Sequence, residues 1–181
     1  MRSMVMQPRP SSKIFLSVTN KHNVAQQIHV KGNNPATIPA LLPKLQGISN
    51  YILTSFDLEL IKEIKNNDIT VPVGWIVKPH SETGSEGLED LTAKVSGGGI
   101  DFPGYTDLEL KEIILKAKYA QVNIVLLCGP RIKNKEMIEQ VRTAGLGVGA
   151  WGVGSNLALA RQLIEFGIDR FTLDNPEQLI D

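Results

Sequence analysis

Carboxylates at the ends of predicted strands are the residues of this chain best placed to do chemistry. Asp57 follows the predicted strand 50–56, and Asp174 ends the last predicted strand, which contains 171–173. In parallel α/β folds, side chains at the carboxyl ends of strands converge, and a carboxylate there can move a proton or hold a cation. Each residue also has a structural interpretation, which for Asp57 is the favoured one. Asp57 has the position of a helix N-cap, and Asp174 begins a turn-like Asp-Asn-Pro sequence.

Other patterns that can mark a site favour structural roles here. Residues 147–152 match Gly-x-Gly-x-x-Gly, but a helix precedes these glycines and they lie within a predicted strand, unlike those of a dinucleotide site. Cys128 ends an apolar run and is predicted to be a buried, inert thiol. The three histidines show no metal-ligand spacing and are interpreted as surface or loop residues: His22, His29 and His80. Most other carboxylates, Glu109 among them, lie near lysines and are interpreted as solvated helix faces.

Composition excludes several classes of function. The 181 residues have a formal net charge of zero, which argues against a broad nucleic-acid surface. No apolar run approaches the ~20 residues of a membrane span. Residues 1–12 lack the apolar segment of a signal peptide and contain two prolines, so they are predicted to be a disordered tail. Residues 13–181 are predicted to form a single domain, and the lone cysteine favours a reducing compartment, hence a cytoplasmic location.

Strand-length apolar runs alternate with amphipathic helical stretches. The predicted strands are 13–19, 50–56, 71–77, 122–128, 146–153 and a sixth that contains 171–173. The predicted helices are 38–45, 58–65, 106–120, 134–144 and 156–166, and the Gly-rich stretch 80–104 is predicted to be a long loop. Buried strands separated by helices imply a parallel sheet. Periodicity leaves two architectures open, an open doubly wound sheet and part of a (β/α) barrel.

Several of these segments resemble motifs of one enzyme family. They are Ser55-Phe56-Asp57, the Gly-rich strand from Gly145 to Trp151, Gly167-Ile168-Asp169 and Asp174-Asn175-Pro176. The chain thereby resembles the glycerophosphodiester phosphodiesterases, metal-dependent TIM-barrel enzymes that split glycerophosphodiesters into an alcohol and glycerol 3-phosphate. The resemblance runs from about residue 14 to 181. It implies an incomplete TIM barrel of about six βα units, equivalent to strands three to eight.

The departures from the family pattern bear on activity. The family's His-Arg-Gly, Glu-x-Asp and His-Asp motifs do not occur in this sequence, and only twelve residues precede Lys13. Ser17 and Thr19 are expected to stand where the next family strand ends Glu-x-Lys, and Gly152 and Gly154 where Thr-x-Asn is usual. Neutral hydroxyls replace a metal ligand and a phosphate-facing cation poorly. We therefore predict no catalytic residue and no metal ligand in this chain, although the family uses calcium or magnesium.

A remnant ligand pocket remains as the predicted site, formed by Ser17, Thr19, Ser55, Phe56, Trp151 and Asp174. The first hypothesis is a phosphodiesterase-like protein, inactive alone, that binds a phosphorylated small molecule there. The second is an enzyme subunit completed by another polypeptide. The third is an interaction or scaffold module, in which open sheet edges bind a partner chain or a second copy of this chain.

Overall fold

Six parallel β-strands form one sheet in the computed structural model, which describes residues 21, 25–32, 36–78 and 102–179. The strands are β1 (Gln26–His29), β2 (Tyr51–Ser55), β3 (Val73–Ile76), β4 (Ile124–Cys128), β5 (Gly147–Trp151) and β6 (Arg170–Phe171). They pair in chain order, and all five neighbouring pairs are parallel. A doubly wound sheet reverses its strand order at a switch point, whereas barrel strands follow one another round the axis. The strand order therefore identifies the barrel architecture.

Contacts across the sheet show that it is curled. In a flat sheet β2 and β5 lie three strand spacings apart, roughly 14 Å. Yet the ring of Phe56, which follows β2, has its centroid 5.7 Å from that of Trp151 at the end of β5. The Trp151 indole also donates to the carbonyl of Val77 beyond β3, at 3.0 Å. The sheet is therefore a half-barrel, as the resemblance implied.

The helices follow the predicted pattern closely because their end signals are local. They are α1 (Thr37–Leu41), α2 (Leu58–Asn67), α3 (Asp107–Tyr119), α4 (Lys135–Thr143) and α5 (Leu157–Glu165), with 3₁₀ turns at Leu42–Leu45, Gly129–Arg131 and Pro176–Leu179. Asp57 caps α2, accepting from the N–H groups of Glu59 and Leu60 at 2.9 and 3.3 Å. Thr106 and Glu109 form a reciprocal capping box at the start of α3. None of the described helices is long and apolar enough to cross a bilayer.

The two faces of the sheet have different neighbours. Trp75 shares a cavity with Ile113 of α3, so its face lies toward the helices. Gly74 lies on the opposite, interior face, where a Cβ would meet the side chains of Leu126, Ile124 and Thr54 at 2.8 to 3.0 Å. Longer side chains from the neighbouring strands thus fill the space over the glycine. The half-barrel interior is packed, and β4 is buried along its whole length.

The first strand differs from the prediction. The strand predicted at 13–19 lies outside the described residues, as do His22, His80 and nearly all of the loop predicted at 80–104. The strand that pairs with β2 is β1, which the sequence pattern had not predicted. Its residues Gln26 and Gln27 weaken the apolar alternation that identifies a strand. The backbone hydrogen bonds to β2 stabilise β1 as a strand, although its local sequence pattern does not predict one.

Gln26 provides a stability prediction. Its side chain is buried, and neither amide atom has a hydrogen-bond partner among the residues that the structure describes. Burying an unpaired amide costs about 1–3 kcal/mol in proteins, so Gln26→Met is expected to raise the free energy of unfolding by about 1 kcal/mol. Urea denaturation measures the change. The matched control is Gln27→Met at the next, exposed position, for which no gain is expected. Equal effects of the two substitutions would contradict the prediction.

Candidate functional site

Three rings lie together where strands of the half-barrel end, and we call them the mouth row: His29, Phe56 and Trp151. The Phe56 centroid lies 5.5 Å from that of His29 and 5.7 Å from that of Trp151. The second pair meets edge to face at 85°, a favoured arrangement of aromatic rings. His29 ends β1, and Trp151 ends β5. The mouth row therefore spans the carboxyl-end opening, which is the functional edge of parallel barrels.

Packing fixes the Trp151 end of the mouth row. The indole is 6% exposed, and its N–H donates to the Val77 carbonyl at 3.0 Å. Trp151 thereby ties the end of β5 to the end of β3 across the intervening strand. A buried indole whose donor is satisfied has one stable orientation. This end of the row is a rigid apolar wall.

The other end of the mouth row is polar and open. His29 is exposed, and Lys31 follows it two residues beyond in an exposed position. Partial burial lowers the pKa of His29, and the positive charge of Lys31 lowers it further. The imidazole is therefore mainly neutral at pH 7, and Lys31 supplies the positive charge beside it. A cation next to aromatic walls suits an organic phosphate.

A cavity lies next to Phe56, between β3 and α3. It has a volume of about 200 Å³, and its walls include Phe56, Trp75, Tyr105, Ile113 and Arg131. We call it the side pocket. Phe56 borders both the mouth and the side pocket. The Trp75 indole donates to the Phe56 carbonyl at 3.4 Å. This hydrogen bond connects a wall of the side pocket to the residue that the side pocket shares with the mouth row.

Arg131 organises the polar wall of the side pocket. Its guanidinium carbon lies 4.1 Å from the Tyr105 ring centroid, and its Nη2 lies 2.7 Å from Glu109 Oε1. The same side chain donates to the carbonyls of Pro103 and Gly104 at 3.1 and 3.4 Å. Arg131 is 5% exposed, so nearly all of its charge is met by protein groups. It fixes residues 103–105 against the end of β4.

Burial and hydrogen bonding set the titration of the groups around Arg131. Cys128 is buried, as predicted from sequence, and burial raises the pKa of its thiol to about 12. Burial likewise raises the pKa of Tyr105, whose hydroxyl oxygen accepts from the Cys128 N–H at 2.9 Å. For Glu109, partial burial alone would raise the pKa, but hydrogen bonds from Thr106 and Arg131 outweigh it and lower the pKa. Glu109 is therefore an ionised partner of Arg131, and the solvated role predicted for it was wrong.

The structure brings two of the predicted pocket residues together, Phe56 and Trp151. Ser55 is buried in register with Trp75, and its hydroxyl accepts from the Asp57 N–H at 3.1 Å. Asp174 is exposed beyond β6, and its N–H donates to the Gly154 carbonyl at 2.9 Å. Ser17 and Thr19 lie outside the described residues and stay predictions.

The sequence-based predictions missed the charged residues beside the mouth row and at the side pocket. Lys31 was not considered, and His29 was interpreted only as a surface or loop residue. The sequence feature that could have indicated His29 and Lys31 is the segment His29-Val30-Lys31, which comes just after a short alternating segment. Arg131 follows the buried strand β4 within three residues, which is where barrel sites lie. Its partner Glu109 is 22 residues away, so no local pattern pairs them.

The described donors do not fit a hard divalent cation. Calcium takes six to eight oxygen ligands, and magnesium takes a nearly ideal octahedron. Among residues that the structure describes, no group of three or more His, Cys, Asp or Glu is placed to hold a metal ion. The mouth row offers one imidazole, and Asp57 is committed to capping α2.

The fold matches that of solved glycerophosphodiester phosphodiesterases. A candidate glycerophosphoryl diester phosphodiesterase of Agrobacterium tumefaciens aligns with a TM-score of 0.68 at 16% identity, covering 93% of this chain and 61% of that one. An Oleispira antarctica phosphodiesterase in complex with its product sn-glycerol 3-phosphate aligns at 0.65 and 13%, covering 94% and 60%. A glycerophosphodiester phosphodiesterase of Parabacteroides distasonis aligns at 0.62 and 12%, covering 93% and 61%.

These alignments establish a shared TIM-barrel fold, and the chain spans about three fifths of the length of each of the three structures. No protein-family model and no curated protein matches the chain.

Proposed function

We propose that this chain is a glycerophosphodiester phosphodiesterase-like protein that binds a small phosphorylated alcohol at the mouth row and does not hydrolyse phosphodiesters by itself. The observation that carries the proposal is the mouth row, which lies at the carboxyl ends of strands in a fold shared with these phosphodiesterases. The Oleispira antarctica phosphodiesterase holds sn-glycerol 3-phosphate as its product. A phosphate ester of a small alcohol fits a site where a cation, Lys31, lies beside the apolar rings of the mouth row.

The residues that end β1 support phosphate binding. The family pattern places Glu-x-Lys on the strand before Ser-Phe-Asp, and here the strand paired with β2 runs into His29-Val30-Lys31. His29 and Lys31 have the spacing of that pattern, with histidine in place of the glutamate, so the end of β1 is an alternative to Ser17 and Thr19 as the counterpart of Glu-x-Lys. Lys31 can neutralise a phosphate oxygen, and the His29 imidazole can donate a hydrogen bond. The glycerol carbons would then pack against Phe56 and Trp151.

The same residues support the absence of hydrolysis by this chain. Cleavage of a phosphodiester needs an acid and a base positioned at the reacting oxygens and stabilisation of the phosphoryl charge. In the described mouth, His29 is one titratable group, with its pKa lowered by partial burial and by Lys31, and the donors do not fit calcium or magnesium. We therefore propose that ligand binding requires no metal.

Lys31 carries the first test of this function. Lys31→Gln removes the cation beside the mouth row and is expected to weaken glycerol 3-phosphate binding about tenfold, because one charge-assisted contact is lost. Calorimetric titration in the presence of a chelator measures the affinity. Lys44→Gln is the matched control, since Lys44 is an exposed lysine in the 3₁₀ turn that precedes β2. Equal affinities of the wild type and both variants, or no saturable binding at all, would sink the proposal.

A scaffold role remains the second candidate because β1 and β6 are the outer strands of the described sheet. Each pairs on one side within that sheet, and a strand edge can pair with another chain. A scaffold would show concentration-dependent association without any response to glycerol 3-phosphate. Sedimentation velocity with and without the ester separates the two functions.

A further inference from the structure

The side pocket is smaller than a typical ligand pocket and suits a group the size of an aryl ring or a short alkyl chain. Its volume of about 200 Å³ is below the ~300–1,000 Å³ typical of ligand pockets. Phe56 lines it and also belongs to the mouth row. A phosphate held near Lys31 therefore has a neighbouring cavity for its ester group. This deduction rests on the proposed function.

The walls of the side pocket select the chemistry of that group. Trp75, Phe56, Val77 and Ile113 present apolar surface. The Tyr105 ring is covered on one face by the Arg131 guanidinium, and its hydroxyl is occupied by the Cys128 N–H. A planar or branched apolar group gains from burial against such walls.

The charges around the side pocket disfavour a cationic group. Of its two lining carboxylates, Glu109 is paired with Arg131, and Glu112 is paired with Lys116 at 2.6 Å. Lys78 also lines the pocket, and the described residues show no ion pair for it. Among the lining residues that the structure describes, three cations thus face two carboxylates, which leaves one positive charge in excess. An ammonium head group would meet that charge without a free carboxylate to balance it.

We propose that the side pocket binds the alcohol moiety of esters that carry an uncharged aryl or alkyl group and disfavours a cationic one, whereas the glycerol of glycerol 3-phosphate stays at Phe56 and Trp151. The phosphate lies at Lys31 and His29, and the apolar group extends past Phe56 toward Trp75. The two regions act as one elongated site. The mouth recognises the phosphate, and the side pocket distinguishes between esters.

Three phosphate monoesters test the specificity: phenyl phosphate, glycerol 3-phosphate and phosphocholine. Calorimetric titration of the full chain is expected to give phenyl phosphate about tenfold tighter binding than glycerol 3-phosphate, because an aromatic ring is buried. Phosphocholine is expected to bind more weakly than phenyl phosphate. Ile113→Phe fills the side pocket, so it should abolish the advantage of phenyl phosphate and leave glycerol 3-phosphate binding unchanged.

Control variants distinguish a failure of this inference from a failure of the proposed function. Ile114→Phe changes the adjacent half-buried position, which does not line the side pocket, and should retain the preference for phenyl phosphate. Thermal unfolding verifies that both variants fold. Glycerol 3-phosphate binding with no preference for phenyl phosphate would overturn the inference alone. Tighter binding of phosphocholine than of phenyl phosphate would also overturn it. So would a folded Ile113→Phe variant that loses affinity for phenyl phosphate and glycerol 3-phosphate equally. Failure of all three esters to bind would overturn the proposed function with it.

Discussion

Trp151→Ala is expected to lower the free energy of unfolding by about 3–5 kcal/mol, the usual cost of truncating a buried aromatic side chain. The substitution removes the edge-to-face contact with Phe56 and leaves the Val77 carbonyl without its indole donor. It also opens a cavity where β5 ends, because the side chain is almost fully buried. Urea denaturation followed by circular dichroism measures the change.

Two variants separate the contributions to the Trp151 effect. Trp151→Phe keeps an aromatic ring but loses the donor, so a loss of about 1–3 kcal/mol is expected from the unpaired carbonyl and the smaller ring. Tyr119→Ala is the matched surface control, since this ring is 75% exposed on α3 and its loss should change stability by under about 1 kcal/mol. Comparable losses for Trp151→Ala and Tyr119→Ala would contradict the packing described for the mouth row.

Arg131→Met is expected to lower the free energy of unfolding by about 2–3 kcal/mol, somewhat less than the ~3–5 kcal/mol for breaking a fully buried pair. The expected loss is smaller because the Glu109 side chain is 25% exposed and can be hydrated when Arg131 is replaced. The variant also loses the donors to the Pro103 and Gly104 carbonyls and the stacking on Tyr105. Chemical denaturation at pH 7 measures the loss.

The pH dependence distinguishes the ion pair from packing alone. The pKa of Glu109 is lower in the folded chain than its ordinary value near 4.3, so its contribution is full above that value and is lost as pH falls through the folded pKa. Arg131→Met should therefore cost less stability at pH 3 than at pH 7. The control Arg142→Met breaks the more exposed pair with Asp169 and should cost about 0–1 kcal/mol. An Arg131→Met loss that does not change with pH would contradict the role of the pair.

Local signals predicted the helices well, because the information that starts and ends a helix lies within a few residues. The capping box of Thr106 and Glu109 begins α3, and the left-handed Gly145 follows α4, close to the ends predicted for the helices 106–120 and 134–144. The order of the strands was not visible, because periodicity describes one strand and says nothing of its neighbours. β1 was missed because Gln26 and Gln27 interrupt its apolar pattern, while its position depends on pairing with β2.

The site was predictable only in part for a related reason. Phe56 and Trp151 were identified from motifs, and their contact depends on the curl that brings β5 back toward β2. His29 joins them only because β1 is the strand beside β2. The side pocket depends on Arg131 reaching Glu109 from another element. Such contacts between distant parts of the chain are created by the fold and have no local sequence signature.

The central claim is that the chain binds a phosphate ester without cleaving it, and one experiment tests both parts. Purified, folded protein is incubated with glycerophosphocholine and calcium or magnesium, with and without a chelator, and release of glycerol 3-phosphate is measured. The same preparation is titrated with glycerol 3-phosphate. The account predicts saturable binding and no release above the protein-free control. Chelator-sensitive release would contradict it, because it would mean that the chain assembles a metal-dependent catalytic centre.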